Sequence, residues 1–147
     1  MKAGFRNSLC LQILFAGVVA SLSGGCSLCN NDEVLRVSSP DAKLEAVVFQ
    51  RDCGATTGFS TQISIVAKGT SLANGGGNLY VADTDHGKAP AANWGGPQVD
   101  VVWTDNRTVK VVTHPDARVF HKKTAISISI GIFSKENVKA EYVLKSS

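Results

Sequence analysis

The sequence predicts an all-β fold: a small antiparallel sandwich or open barrel that follows a cleaved leader. Three observations point there. Apolar and polar residues alternate in short runs, and no stretch carries the roughly 3.6-residue repeat of an amphipathic helix. Turn residues interrupt these runs about every eight to twelve residues, giving about eight or nine short strands, the rhythm of a sandwich or barrel. The composition, 44% hydrophobic and 18% charged over 147 residues, suits one globular domain and not a disordered chain.

Residues 1–25, "MKAGFRNSLCLQILFAGVVASLSGG", have the pattern of a secretory signal peptide. Lys2 and Arg6 form the basic start, Leu9 to Ala20 the apolar stretch, and Ser21, Ser23, Gly24 and Gly25 the small residues before a cut. The apolar stretch is short for a membrane span. Cys26 follows "LSGG", which resembles the lipobox of bacterial lipoproteins. Leu22 sits one residue further from the cysteine than that pattern places it, with Ser23 in its place, so Cys29 is the alternative lipid site. The resemblance implies cleavage before Cys26, diacylglycerol on its thiol and an acyl group on the new amine. At about 0.8 kcal/mol per buried CH₂, two or three acyl chains hold stably where one does not. Ser27, where an aspartate would mark inner-membrane retention, points to the outer membrane, with the domain facing the periplasm. The expected organisation is leader 1–25, polar tether 26–32 and one β domain over 33–147.

The strands follow in order. "VLRVSS" (34–39) leads into the turn "SPDAK", where Pro40 presets φ and Asp41 can bond its own backbone. In "KLEAVVFQ" (43–50), Leu44, Ala46 and Val48 share one face, and Val47 and Phe49 the other. "FSTQISIVA" (59–67) and "GNLYVAD" (77–83) flank an "NGGG" turn. Residues 84–97 hold too many Gly and Pro for regular structure. "QVDVVWT" (98–104) and "TVKVVTH" (108–114) form a hairpin across "DNR", and "RVFHK" is short. In "TAISISIGIF" (124–133), Ile126, Ile128, Ile130 and Ile132 are expected to face one way, and "VKAEYVL" (138–144) closes the domain. Trp103, Tyr80 and Tyr142 are strand residues, with Trp103 expected in the core.

The net charge of +3 shrinks once Lys2 and Arg6 leave, since 13 basic residues then face 12 acidic ones. That balance argues against nucleic acid as a partner. No phosphate loop, serine-hydrolase elbow or paired-cysteine zinc pattern occurs, and no cofactor or metal is implied. Asp83 and Asp85 in "DTDHG" alternate like the start of a calcium loop but lack its later ligands, and such a loop more often satisfies its own backbone.

Of the four cysteines, Cys10 leaves with the leader and Cys26 takes the lipid. Cys29 and Cys53 remain, and in an oxidising compartment two leftover thiols pair. The loop they would close, about 25 residues, is worth roughly 3 to 3.5 kcal/mol in the chain-entropy model. Cys26–Cys53 is the alternative bridge if Cys26 is not acylated.

Around Cys53 the string "RDCGATTGFSTQ" (51–62) is polar, small and more specific than packing requires. Asp-Cys-Gly-Ala-Thr-Thr, one residue, then Phe-Ser-Thr-Gln, with "LYVAD" and "VDVVW" further on, resembles a family of small uncharacterised bacterial envelope proteins, often lipoproteins. That resemblance covers most of the mature chain and implies a family site in this loop without implying an activity. The candidate binding residues are Asp52, Thr56, Thr57, Phe59, Ser60, Thr61 and Gln62, with Trp94 of "AANWGGP" as either a contact or a cap on the barrel mouth. Arg51 and Asp52 read as a surface ion pair of little worth.

Three functions are compatible with this sequence. The first is a lipid-anchored binding domain for an envelope protein, peptidoglycan or a small molecule. The second is a structural or immunity-type lipoprotein without a pocket. The third, least supported, is a small hydrolase using His86 or His114 with Asp83, Asp85 or Cys53. The first two are not enzymes. Oligomeric state is not legible.

Overall fold

The computed structural model describes residues 29–54 and 57–145. The leader and Cys26 lie outside the described residues, as does Thr56. Among the described residues there are nine strands and no helix. One sheet contains β1 (Asn30–Ser38), β2 (Leu44–Asp52), β3 (Ser60–Ala67), β4 (Tyr80–Asp83) and β7 (Arg118–Lys122), in the order β1-β2-β3-β4-β7. The other contains β5 (Val99–Trp103), β6 (Thr108–Thr113), β8 (Ala125–Ser129) and β9 (Lys135–Leu144), in the order β5-β6-β9-β8. Neither sheet closes on itself, so of the two expected architectures the protein adopts the sandwich.

Three details depart from the sequence reading. Strand β1 starts inside the expected tether, because Asn30 and Asn31 extend the ladder to Asp52 and Arg51. Strand β8 stops at Ser129, where a turn closed by the Ile130 N–H donating to the Ser134 carbonyl (3.0 Å) reverses the chain. Ile132 and Phe133 are therefore 91% and 99% exposed, and Ile132 does not join its stripe. Finally, β6 and β9 run parallel, whereas an antiparallel fold was expected. Strand β7 joins the first sheet and β8 returns to the second, which brings β9 alongside β6 in the same direction.

Between the sheets, Leu44, Ala46, Val48, Ile63, Ile65, Tyr80 and Ala82 meet Val99, Val101, Trp103, Val109, Val111, Val138 and Ala140. Full burial of each larger aliphatic side chain contributes about 1.5–3 kcal/mol. Trp103 is in this core, and its indole donates to the Val37 carbonyl at 3.0 Å. Tyr80 is fully buried, and burial pushes its hydroxyl up to about 12, with the Thr113 side chain opposing.

The outer face of the first sheet is also covered. Val47 and Phe49 point away from the core, yet both are 0% exposed. The 68–78 segment runs over this face between Gly69, whose N–H donates to Glu45, and Gly75, whose carbonyl accepts from Asn31 and Arg51. Asn31 Nδ2 donates to the Ala73 and Gly75 carbonyls, the Gly77 N–H donates to Gln62 Oε1 (2.6 Å), and the Asn78 side chain pairs with the Ile65 backbone. The crossing is tight at Gly77: a Cβ there would stand 2.7 Å from the Tyr80 carbonyl oxygen and 2.9 Å from that of Ile63. Both obstacles are backbone, so only glycine passes.

The same face buries Glu45, whose side chain is 5% exposed between Lys68 (2.9 Å) and Arg36 (2.7 Å). Burial pushes its carboxyl up, but the Lys68, Arg36 and Gly69 N–H hydrogen bonds outweigh that and hold it at about 2, against an ordinary 4.5. The unfolded chain therefore binds the proton more readily. The contribution is complete above about pH 5 and disappears as pH falls towards 2. Lys68 is 49% exposed, so solvent screening reduces the contribution to about 1–2 kcal/mol. Glu45→Gln is expected to lose that much at pH 7 and little at pH 2.5. Urea unfolding at the two pH values measures the difference, and an equal loss at both would contradict the ion-pair account.

Candidate functional site

Cys29 and Cys53 form a disulfide, S–S 2.09 Å. It joins the start of β1 to the end of β2. Beside it the 68–78 cover ends, and the outer face of the sheet opens into a pocket of about 420 Å³.

Strand register builds the pocket floor. Asn31 pairs with Arg51, Arg51 with Ser60, Ser60 with Asp83, and Asp83 with Arg118, so one row crosses all five strands. The next row contributes Gln62 and Val81. Cys53, Thr57 and Gly58 form one wall, and His86 and Phe120 the other.

The floor is held by specific bonds. Ser60 Oγ donates to the Arg51 carbonyl (3.3 Å) and accepts from Gln62 Nε2 (2.9 Å). Arg118 clasps Asp83 through Nε (3.1 Å) and Nη2, approaches Asp85 at 3.6 Å, and stacks 5.0 Å from the Phe120 ring centre. A hydrogen bond from Lys88 holds the Asp85 carboxyl below its ordinary range, with burial opposing and the Lys88 and Arg118 charges adding to the effect. The His86 wall is rigidly shaped: Asp85, His86 and Gly87 have φ of 47°, 58° and 88°, three left-handed residues in succession. The Asp83 carboxylate accepts from the Asp85 N–H (2.8 Å), and the Gly87 N–H bonds the Thr84 carbonyl. "DTDHG" is thus a loop that satisfies its own backbone. Among the described residues no three His, Cys, Asp or Glu converge as metal ligands.

Strand alternation divides the string singled out in the sequence. Thr57, Ser60 and Gln62 line the pocket. Thr61 faces the other way and is fully buried, donating to the Pro97 carbonyl (2.7 Å) and accepting from the Trp94 indole (2.8 Å). Phe59 lies against Gly95 on that same side. Trp94, Phe59 and Thr61 therefore make a packing cluster behind β3, apart from the pocket. Asp52 also turns away from Arg51; its carboxylate accepts from the Gly54 N–H at 2.9 Å, so the expected Arg51–Asp52 pair does not form. Sequence reasoning passed over Arg51, Arg118, Val81 and Phe120 as site residues. The available signal was their position on the same side of alternating strands as Ser60 and Gln62.

The geometry bears on catalysis. Cys53 is in a disulfide and is no nucleophile. The Ser60 hydroxyl is committed to a backbone carbonyl, and the His86 ring contact within the pocket is Arg118 at 3.5 Å. His114 bonds the Asp116 backbone, and His121 lies 3.4 Å from the Asn78 carbonyl. Among the described residues none of these histidines is hydrogen-bonded to a serine, threonine or cysteine side chain. A second hollow, about 490 Å³, runs along β8 between Asn78, Lys123 and Ile128. It is lined by strand-edge aliphatic and amide groups and Lys123, and it lacks the convergent charged groups that mark a ligand site.

No family model matches the chain, and comparison with curated proteins and with solved structures finds no match.

Proposed function

We propose that this protein is an exported, lipid-anchored binding domain of the bacterial cell envelope. Its ligand, a small molecule or a group projecting from an envelope protein or peptidoglycan, enters the pocket beside the 51–62 loop. One observation carries the reading: the disulfide walls the same pocket whose floor is the Arg51–Ser60–Asp83–Arg118 row. A bridge between two of four cysteines fits an oxidising compartment. The leader-like residues 1–25, the lipobox-like stretch before Cys26 and the likeness to small envelope lipoproteins agree with it.

Two measurements test the reading. Intact mass of the mature chain with and without reductant should show cleavage before Cys26, an added acyl mass and a gain of two hydrogen atoms on reduction. A full-length encoded mass with free thiols would end the export reading. For the pocket, Ser60→Trp fills the floor from β3. Crosslinked complexes from cells should lose a partner with this variant, provided its fold is unchanged by circular dichroism. An identical set of complexes would place the contact elsewhere.

A further inference from the structure

The pocket contains a cation, Arg51, that no carboxylate among the described residues neutralises. Four arginines lie among the described residues, and three are each held by two carboxylates. Arg36 binds Glu33 (2.5 Å) and Glu45 (2.7 Å); Arg107 binds Glu136 (2.6 Å) and Asp41 (2.9 Å); Arg118 binds Asp83 and Asp85. Arg51 differs. Its partners are Asn31 Oδ1 (2.6 Å), Asn74 Oδ1 (3.3 Å) and the Gly75 carbonyl (3.1 Å), all neutral oxygens and all bonded through Nη1. Among the described residues no carboxylate lies within ion-pair distance of it, and Nε and Nη2 carry no bond.

The cradle orients the guanidinium without cancelling its charge. Asp52, adjacent in the chain, is on the opposite side of the strand and bonds the Gly54 N–H. Asp83 lies two strands away along the floor, about 10 Å at the usual strand spacing, and Arg118 already clasps it. The floor is thus balanced at the Asp83–Arg118 end and positive at the Arg51 end. A partly buried guanidinium with an unused nitrogen edge suits a planar or tetrahedral oxyanion, which it can grip with two parallel hydrogen bonds. The Ser60 and Thr57 hydroxyls line the same pocket, and Val81 and the 61%-exposed Phe120 ring supply an apolar side.

We propose that the pocket recognises an oxyanion, a carboxylate or phosphate, gripped by Arg51, on a ligand whose adjoining part is apolar. This rests on the pocket being the binding site. The test titrates the mature protein with benzoate, phenyl phosphate and neutral benzamide, following backbone amide resonances of Ser60, Gln62 and His86. A charge-assisted hydrogen bond contributes about 1.5–3 kcal/mol, so an oxyanion should bind about 10- to 100-fold more tightly than benzamide. Preference for benzoate identifies a carboxylate ligand, and preference for phenyl phosphate a phosphate ligand; either supports the proposal. Arg51→Gln should remove the preference, and Arg51→Lys should retain part of it. Because Arg51 also holds the 68–78 cover, Asn74→Asp gives a second check: it adds a counter-charge behind an intact Arg51 and should weaken oxyanion binding about tenfold, whereas Asn74→Ala, which gives up the same Asn74 bond to the Cys29 carbonyl without adding charge, should keep the preference. Benzamide binding as well as the oxyanions, or an unaltered preference in Arg51→Gln, overturns the oxyanion inference. If Ser60→Trp still abolishes benzamide binding, the pocket survives as a binding site. If no compound binds, the inference falls, and an unchanged set of complexes with Ser60→Trp then removes the pocket reading as well.

Discussion

Replacing Cys29 and Cys53 together with alanine is expected to lower stability by about 3.5 kcal/mol, the chain-entropy value for a loop of this size. The cysteines are 24 residues apart, and the bridge restricts the unfolded chain over that whole span. The melting temperature should fall by about 10–15 °C for a domain of this length. The native state shares in the effect. Asn30 and Asn31 extend β1 along β2 to Asp52 and Arg51, and the disulfide sits where that ladder begins. Without it, the first pairs of β1 are expected to fray. Asn31 would then loosen from Ala73 and Gly75, and the cradle of Arg51 with it. Any pocket ligand should therefore bind more weakly to the double variant than to the oxidised protein, even below the melting transition. Thermal unfolding of the two proteins measures the first effect, and reductant should bring the wild type to the same value. A change below about 1 kcal/mol would mean that β1–β2 pairing alone holds the segment.

Phe49→Ala is expected to cost about 3–5 kcal/mol, the range for removing a fully buried aromatic side chain. By alternation Phe49 lies on the face of β2 opposite Leu44, Ala46 and Val48, which in a two-layer sandwich is the solvent face. A side chain there would normally be replaceable at little cost. Here it is 0% exposed, beside Val47, beneath the 68–78 segment. That segment is held by side-chain and backbone bonds to Asn31, Gln62, Ser64 and Ile65, and Gly77 presses it against two carbonyls. It cannot easily sink into the space a missing ring would leave, so the cavity would persist. Urea unfolding followed by tryptophan fluorescence gives the number. A loss under about 1 kcal/mol would show that the cover collapses onto the gap. Phe133, equally aromatic but 99% exposed at the β8–β9 turn, provides the contrast: its replacement by alanine should change stability by no more than about 0.5 kcal/mol.

The strands themselves were legible because each depends on residues close in the chain. Alternation marked β2, β3, β5, β6 and β9, and "SPDAK", "NGGG" and "DNR" marked breaks between strands. The sulfur pair was legible from cysteine arithmetic. The same local reasoning misplaced Ile132. The Ser129–Ser134 turn interrupts an alternation that by composition continues, and the turn is set by the pairing of β8 with β9. Parallel pairing of β6 with β9 had no local mark at all, since it depends on which sheet the intervening strands join.

The candidate site was half legible. Thr57, Ser60 and Gln62 belong to the pocket, while Phe59, Thr61 and Trp94 pack behind it, because successive residues of a strand point to opposite faces. Arg51 read as a minor surface charge, since its neighbour Asp52 offered an obvious partner in sequence and none in space.

By itself, then, the sequence determined the class of fold, the succession of strands along the chain and the cysteines available to pair. Only the tertiary structure decided that β2 and β3 are covered on both faces, that five strands align Asn31, Arg51, Ser60, Asp83 and Arg118 in one row, and that of the arginines among the described residues Arg51 is the one without a carboxylate partner. The physical reason is the same in each case. Alternation and turns act between near neighbours in the chain, and a thiol count needs no geometry, whereas burial and charge compensation depend on cross-strand register, which along this row joins residues up to 35 positions apart.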